Sequence, residues 1–233
     1  MRYDVLLCDA DDTLFDFTKA EENAFDAACA RMGIAPSEAL LARYSAINAA
    51  LWKQLEQGIL TQSVLRVRRF AQFLSETGYP GDAQAMADCY ADALSRQDAL
   101  LPGALEAVRR WSAKVPVVIV TNGISKIQRG RMGRSELRHL IRGMIVSEEV
   151  GAAKPDPRMI ELGMKAAGAT DRRRVLMLGD SLSSDMAAAA NAQVDACWYN
   201  PHGAVNDRGL PIAHEVRSLD EVDAILQGKE GQA

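Results

Sequence analysis

Val5-Leu6-Leu7-Cys8-Asp9-Ala10-Asp11-Asp12-Thr13 is the stretch that decides the fold. Four consecutive apolar residues suit a strand buried on both faces, and such strands belong to parallel sheets covered by helices on either side. The run ends abruptly on carboxylates. In an open parallel sheet, ligands bind beyond the carboxyl ends of the strands, so this acidic segment is a candidate site as well as a strand end. Residues two apart in extended backbone face the same way, which aims the carboxylates of Asp9 and Asp11 at one point. Like charges so placed repel unless a cation or a shared proton compensates. A hard divalent cation such as Mg2+ suits oxygen ligands. The alternative for an isolated Asp-x-Asp is a solvated acidic turn or a helix cap.

Four more apolar runs follow, at residues 117–120, 144–146, 175–178 and 196–199. Helical patterns separate most of them, so the spacing predicts an α/β fold with a doubly wound parallel sheet. The strands are too few for an eight-stranded barrel. Between the first and second runs the chain reads as helix throughout. Thr18 with Glu21 has capping-box spacing, Phe25, Ala28, Cys29 and Met32 follow at helical intervals, and Gly33 ends the pattern. Three further stripes start after Ser37, Thr61 and Asp82, and the first two stop at Gly58 and Gly78. Residues 16–96 are therefore expected to form an all-helical insert, with residues 1–15 and 97–233 as the core. Pro102-Gly103 marks the return to that core.

Composition removes several classes. The chain has 233 residues, is 48% hydrophobic and 25% charged, and carries a formal net charge of −4. This is ordinary globular usage, and an acidic balance offers no global attraction to a nucleic acid polymer or a membrane surface. No run approaches the length of a membrane helix, and the N-terminus carries no signal-peptide pattern. Cys8, Cys29, Cys89 and Cys197 lie far apart without a C-x-x-C pair, which argues against a disulfide framework or a zinc site. The expectation is a cytoplasmic protein, a monomer or homodimer, with Cys8 a small buried hydrophobe.

Three other polar motifs end apolar runs. Thr121-Asn122-Gly123 combines a hydroxyl, backbone N–H groups and a glycine, which suits a phosphate cradle; alternatively it is a turn. Lys154-Pro155 offers an ammonium that neutralises a phosphoryl oxygen, or a surface lysine. In residues 179–185, Asp180 stands where a metal ligand would. Asp185 suits an outer or water-mediated ligand, or an acceptor that orients Lys154; both are otherwise carboxylates at a helix start.

The order Asp-x-Asp-x-Thr, Thr-Asn-Gly, Lys-Pro, Gly-Asp-x-x-x-x-Asp resembles the haloacid dehalogenase-like (HAD) phosphatases, and the helical insert resembles their cap. Asn48, Leu51-Trp52, Gly58-Ile59, Thr61, Arg69-Phe70, residues 145–151 and Cys197-Trp198 look like the YjjG-type pyrimidine 5′-nucleotidases of that superfamily. The resemblance implies a Rossmann-like core with its site at the strand ends under the cap. It implies that Asp9 attacks phosphorus to give an aspartyl-phosphate, and that Asp11 serves as acid and then base. Mg2+ is implied on the Asp9 carboxylate, the Asp11 carbonyl and Asp180, with Asp185 behind. Thr121, the region of Asn122 and Gly123, and Lys154 are implied to hold the phosphoryl oxygens. The implied substrate is a small phosphomonoester, a pyrimidine nucleoside 5′-monophosphate.

Other functions share parts of this pattern. A sugar-phosphate or phosphoglycolate-type phosphatase, or a phosphomutase, would keep the same core. A dehalogenase does not need the acid at Asp11. A phosphate-accepting regulatory domain has no reason to carry an insert of this size. Residues 126–142 depart from a plain helix, because Gly130 and Gly133 interrupt a segment rich in Lys and Arg. The segment is expected to be short or broken, with a solvated basic face or one that steers an anionic substrate.

Overall fold

The computed structural model describes residues 1–229. It contains β1 (Val5–Cys8), α1 (Phe17–Arg31), α2 (Glu38–Glu56), α3 (Gln62–Thr77), α4 (Ala83–Leu94), α5 (Ala104–Ser112), β2 (Val117–Thr121) and α6 (Ser125–Arg134). There follow β3 (Gly143–Val146), α7 (Ser147–Val150), α8 (Arg158–Ala167), β4 (Val175–Gly179), α9 (Ala187–Ala192), β5 (Asp195–Tyr199), β6 (His214–Val216) and α10 (Val222–Gln227). The strands form one six-stranded sheet in the order β3-β2-β1-β4-β5-β6. Every pairing is parallel.

The apolar runs are strands for the reason their composition suggests. All residues of β1, β2 and β4 are buried, so no solvent face selects for alternation. The third and fifth strands begin one residue earlier than their apolar cores, at Gly143 and Asp195. The sixth strand is not anticipated from the sequence. It has only three residues, pairs with β5 alone and alternates buried, exposed, buried.

The chain divides into two compact units. One holds Met1–Asp16, Ala99–Ser125 and the chain from Arg134 on; the other holds Phe17–Asp98 and Lys126–Gly133. The second unit is helical, with α1 packed on α4 and α2 on α3. Its core is aromatic. Phe25, Tyr44, Phe70, Phe73 and Tyr90 are buried together, with ring centroids of Phe25 and Tyr44 4.9 Å apart and of Tyr44 and Phe70 5.2 Å apart. The Arg69 guanidinium lies against these rings and donates to Asn48 Oδ1 at 3.1 Å.

Ser37 caps α2 by accepting from Leu40 N, and Asp82 caps α4 by accepting from Gln84 N and Ala85 N. Thr18 is not a cap. The helix already starts at Phe17, so Thr18 lies inside its first turn, and Glu21 instead accepts from Ser45 Oγ and Asn48 Nδ2.

The basic segment is broken, with α6 ending at Arg134 and a separate 3-10 turn at Glu136–His139. It is not simply a solvated face. Arg131 is fully buried and donates through Nε to Gln97 O at 2.8 Å, while Lys126 pairs with Asp92. Gly130 explains itself sterically, because a Cβ there would stand 2.7 Å from Ser95 O. By its terminal position the stretch 228–233 is expected to fray; residues 230–233 lie outside the described residues, and Gly228 closes α10 in the left-handed conformation. No helix among the described residues is long and apolar enough to cross a membrane.

Candidate active site

Strand register brings the motifs together. Cys8 pairs with Ile119 on one side and Leu178 on the other. The next residues on the three strands are therefore Asp9, Val120 and Gly179, and one step beyond stand Thr121 and Asp180. Asp9 is fixed at this edge by its own N–H, which donates to Leu178 O at 2.9 Å.

Lys154 is the hub. Its ammonium is 1% exposed and donates to Asp9 Oδ1 at 2.5 Å, Asp185 Oδ1 at 2.6 Å and Val120 O at 2.6 Å. All three N–H bonds are used, so the surface-lysine alternative is excluded. Burial opposes the charge on Lys154, but the carboxylates of Asp185 and Asp9 outweigh it and raise its pKa, which keeps the ammonium protonated.

Asp9, Asp180 and Asp185 each offer a carboxylate oxygen within 4.8 Å of the others. Burial raises the Asp9 pKa well above the usual carboxylate range; Lys154 opposes this, and Asp185, Asp180 and Asp11 add to it. Burial, then Asp185 and Asp12, push Asp180 up to about 7. Ionising all three crowded carboxylates against the single Lys154 ammonium is unfavourable unless a further cation is present, which is what the raised pKa values of Asp9 and Asp180 express. An all-oxygen, negatively charged set of this kind fits a hard divalent cation.

Asp185 is itself fully engaged. Oδ1 meets Lys154 and Oδ2 accepts from Ser181 N at 3.0 Å. Gly179 makes room for it, because a Cβ there would lie 2.3 Å from Asp185 Cγ. Asp180 is held through its carboxylate by Thr13 Oγ1 at 3.2 Å and through its carbonyl by Trp198 Nε1 at 2.8 Å.

Two expected contributors behave differently. The Asp11 carboxylate is not in the three-membered acidic group. The chain turns here, with Leu14 N and Phe15 N both donating to Ala10 O and Asp12 in the left-handed region at φ 53°. The strand-like alternation therefore does not carry on from Asp9 to Asp11. Asn122 spends its side chain on Lys154, whose N–H donates to Oδ1 at 2.7 Å while Nδ2 donates to Lys154 O at 2.8 Å. It anchors the lysine's backbone rather than offering its amide to a ligand. Thr121, buried at the end of β2, accepts from Gly123 N at 3.2 Å, which leaves its hydroxyl proton to donate.

Thr13, Gly179, Ser181 and Trp198 are the supporting residues that sequence reasoning did not assign. Thr13, Gly179 and Ser181 sit within the quoted motifs. Trp198 belongs to the Cys197-Trp198 match of the resemblance, which gives it no role; the register pairing Gly179 with Trp198 brings its indole to Asp180. Cys8 is buried, and burial first, then Asp9, raises its thiol pKa, so it is an inert core thiol.

A family model described as haloacid dehalogenase-like hydrolase matches residues 3–193. The chain is 32% identical to the pyrimidine 5′-nucleotidase YjjG of Escherichia coli (strain K12), over 97% of this chain and 99% of that protein. It is 34% identical to the pyrimidine 5′-nucleotidase PynA of Streptococcus pneumoniae, over 95% and 94%. The crystal structure of YfnB from Bacillus subtilis, described as bound to magnesium, superimposes with a TM-score of 0.90 at 31% identity, covering 97% of this chain and 99% of that one.

Proposed function

This chain belongs to the haloacid dehalogenase-like hydrolases, and from that premise we propose that it hydrolyses phosphomonoesters through an aspartyl-phosphate on Asp9, with Mg2+ as its ion. We read its substrate as a pyrimidine nucleoside 5′-monophosphate. Residues 1–15 and 97–233 serve as the catalytic core, apart from Gln97–Asp98 and Lys126–Gly133, which cluster with the helical unit, and residues 16–96 serve as the cap. The observation that carries the reading is the buried junction of Lys154 with Asp9 and Asp185 beside Asp180.

Asp9 is the nucleophile. Its carboxylate oxygen forms a bond to phosphorus as the bond to the ester oxygen breaks, and Asp11 gives that oxygen its proton. Water then attacks the same phosphorus and passes a proton to Asp11, the Asp9–phosphorus bond breaks, and phosphate leaves. A carboxylate nucleophile splits one hard displacement into two easier ones. Asp11 suits the proton work because it stands outside the crowded carboxylates and is half-exposed.

Lys154 carries a fixed positive charge to the transferring phosphoryl group. Asp185, Val120 O and the Asn122 clamp hold it there. The Thr121 hydroxyl and the N–H groups that follow donate to phosphoryl oxygens. The Asp9 and Asp180 carboxylates and the Asp11 carbonyl would hold Mg2+, which when bound supplies charge neutralisation at the phosphoryl oxygens. Asp185, with both oxygens already engaged, orients Lys154.

The substrate reading is supported by what the Escherichia coli and Streptococcus pneumoniae relatives are named for. None of the four cysteines forms a disulfide, which suits a reducing compartment such as the cytoplasm. The test is phosphate release with Mg2+ across pyrimidine and purine nucleoside monophosphates and small sugar phosphates. Preference for uridine or thymidine monophosphate is expected. Preference for sugar phosphates would overturn the substrate and leave the chemistry, and no release from any would overturn both.

A further inference from the structure

We propose that Trp198 is a positioning residue whose indole N–H fixes the main-chain carbonyl of Asp180 and so sets the direction of the Asp180 carboxylate toward the ion. The proposal rests on the reading of Asp180 as a metal ligand. The contact is direct, with Nε1 donating to Asp180 O at 2.8 Å. It is also imposed by the fold, since Trp198 pairs with Gly179 across the β4–β5 ladder, placing its ring beside the residue that follows β4.

The ring is buried in a cluster with Val5, Met177 and Met186, so it serves packing as well as hydrogen bonding. What the indole adds is one N–H, and a buried indole N–H seeks a partner.

Asp180 needs the tie because it stands one residue past its strand. Its carboxylate faces Asp9 and Asp185 within 4.8 Å. Mutual repulsion in that group favours rotation of the Asp180 peptide and withdrawal of its carboxylate whenever no cation is bound. Thr13 restrains the carboxylate end at 3.2 Å, and Trp198 restrains the backbone end. With both held, the ion meets a preformed oxygen set instead of having to assemble one. Groups that orient metal ligands typically contribute about 10–100-fold to metal affinity.

The test is direct Mg2+ binding to metal-free protein by titration calorimetry, alongside Mg2+ activation of phosphate release. Trp198→Phe keeps the ring and removes the N–H. It should bind Mg2+ about tenfold more weakly and need about tenfold more Mg2+ for half-maximal activity. Its kcat at saturating Mg2+ should stay within about threefold of wild type, because the fully loaded site recovers its geometry. If Trp198→Phe fails to fold, benzothienylalanine at the same position removes the N–H in an isosteric ring and is expected to give the same shift. Unchanged Mg2+ affinity in the folded variant overturns the proposal. So does a loss of kcat at saturation equal to the loss of affinity, which would mark general damage. Asp180→Asn serves as the reference. If neither wild type nor Asp180→Asn binds Mg2+, the reading of Asp180 fails and takes the proposal with it.

Discussion

Replacing Gly179 by alanine should damage both stability and catalysis through one contact. A methyl built there lies 2.3 Å from Asp185 Cγ and Oδ2 and 2.6 Å from Asp185 Cβ. Ordinary contact begins at 3.4 Å, so the Asp185 carboxylate must retreat by 3.4 − 2.3, about 1 Å. It has nowhere to retreat without losing Lys154 at 2.6 Å or Ser181 N at 3.0 Å. Overpacking of a core costs about 1–3 kcal/mol, and a hydrogen bond to a charged group contributes about 1.5–3 kcal/mol. The expected loss is about 3 kcal/mol or more. For a chain of this size each kcal/mol moves the melting temperature by about 2–4 °C, so Gly179→Ala should melt about 6–12 °C lower in a metal-free thermal scan. Phosphate release should fall at least tenfold, because Lys154 loses a partner that holds it. Gly133→Ala is the control, since nothing lies within 4 Å of the added methyl. If Gly179→Ala melts within about 2 °C of wild type and keeps its activity, the tight seating of Asp185 on Gly179 is wrong.

Within α6, Gly133→Ala should gain about 1 kcal/mol from helix propensity, whereas Gly130→Ala should lose about 1–3 kcal/mol by pressing on Ser95 O; urea unfolding of both variants gives the two signs. Asn122→Ala removes both hydrogen bonds that hold the Lys154 peptide, so kcat should fall about tenfold or more with a smaller change in KM, read by steady-state phosphate release. Asp11→Asn should lose most turnover in the same assay, as removal of a general acid and base costs about 10²–10⁴-fold, while Mg2+ binding through the main-chain carbonyl of residue 11 is retained.

Much of this was legible because burial on both faces leaves an uninterrupted apolar signature. Residues 5–8, 117–120 and 175–178 read as strands without reference to any partner. The edge strand His214–Val216 escaped because three residues on an edge need no such run. Thr18 misled because capping spacing says nothing of where the preceding turn ends, and the helix begins one residue earlier. At the site, Asp9, Lys154, Asp180 and Asp185 stood out as polar groups at or after strand ends, and register brings them together. The Asp11 carboxylate did not join them, since alternation holds only while the backbone stays extended and the chain turns at residues 10–15. The clamp of Asn122 on Lys154 and the bond from Trp198 to Asp180 depend on contacts between residues far apart in sequence, which no local pattern encodes.

The central claim is that Asp9 is the nucleophile, and phosphate release by purified Asp9→Asn protein tests it most directly. The variant replaces one carboxylate oxygen by an amide nitrogen at a site already crowded with negative charge, so it should fold and melt at or above the wild-type temperature. Turnover of its best phosphomonoester substrate should fall to background at saturating Mg2+. Near-normal turnover by the folded variant would contradict the account.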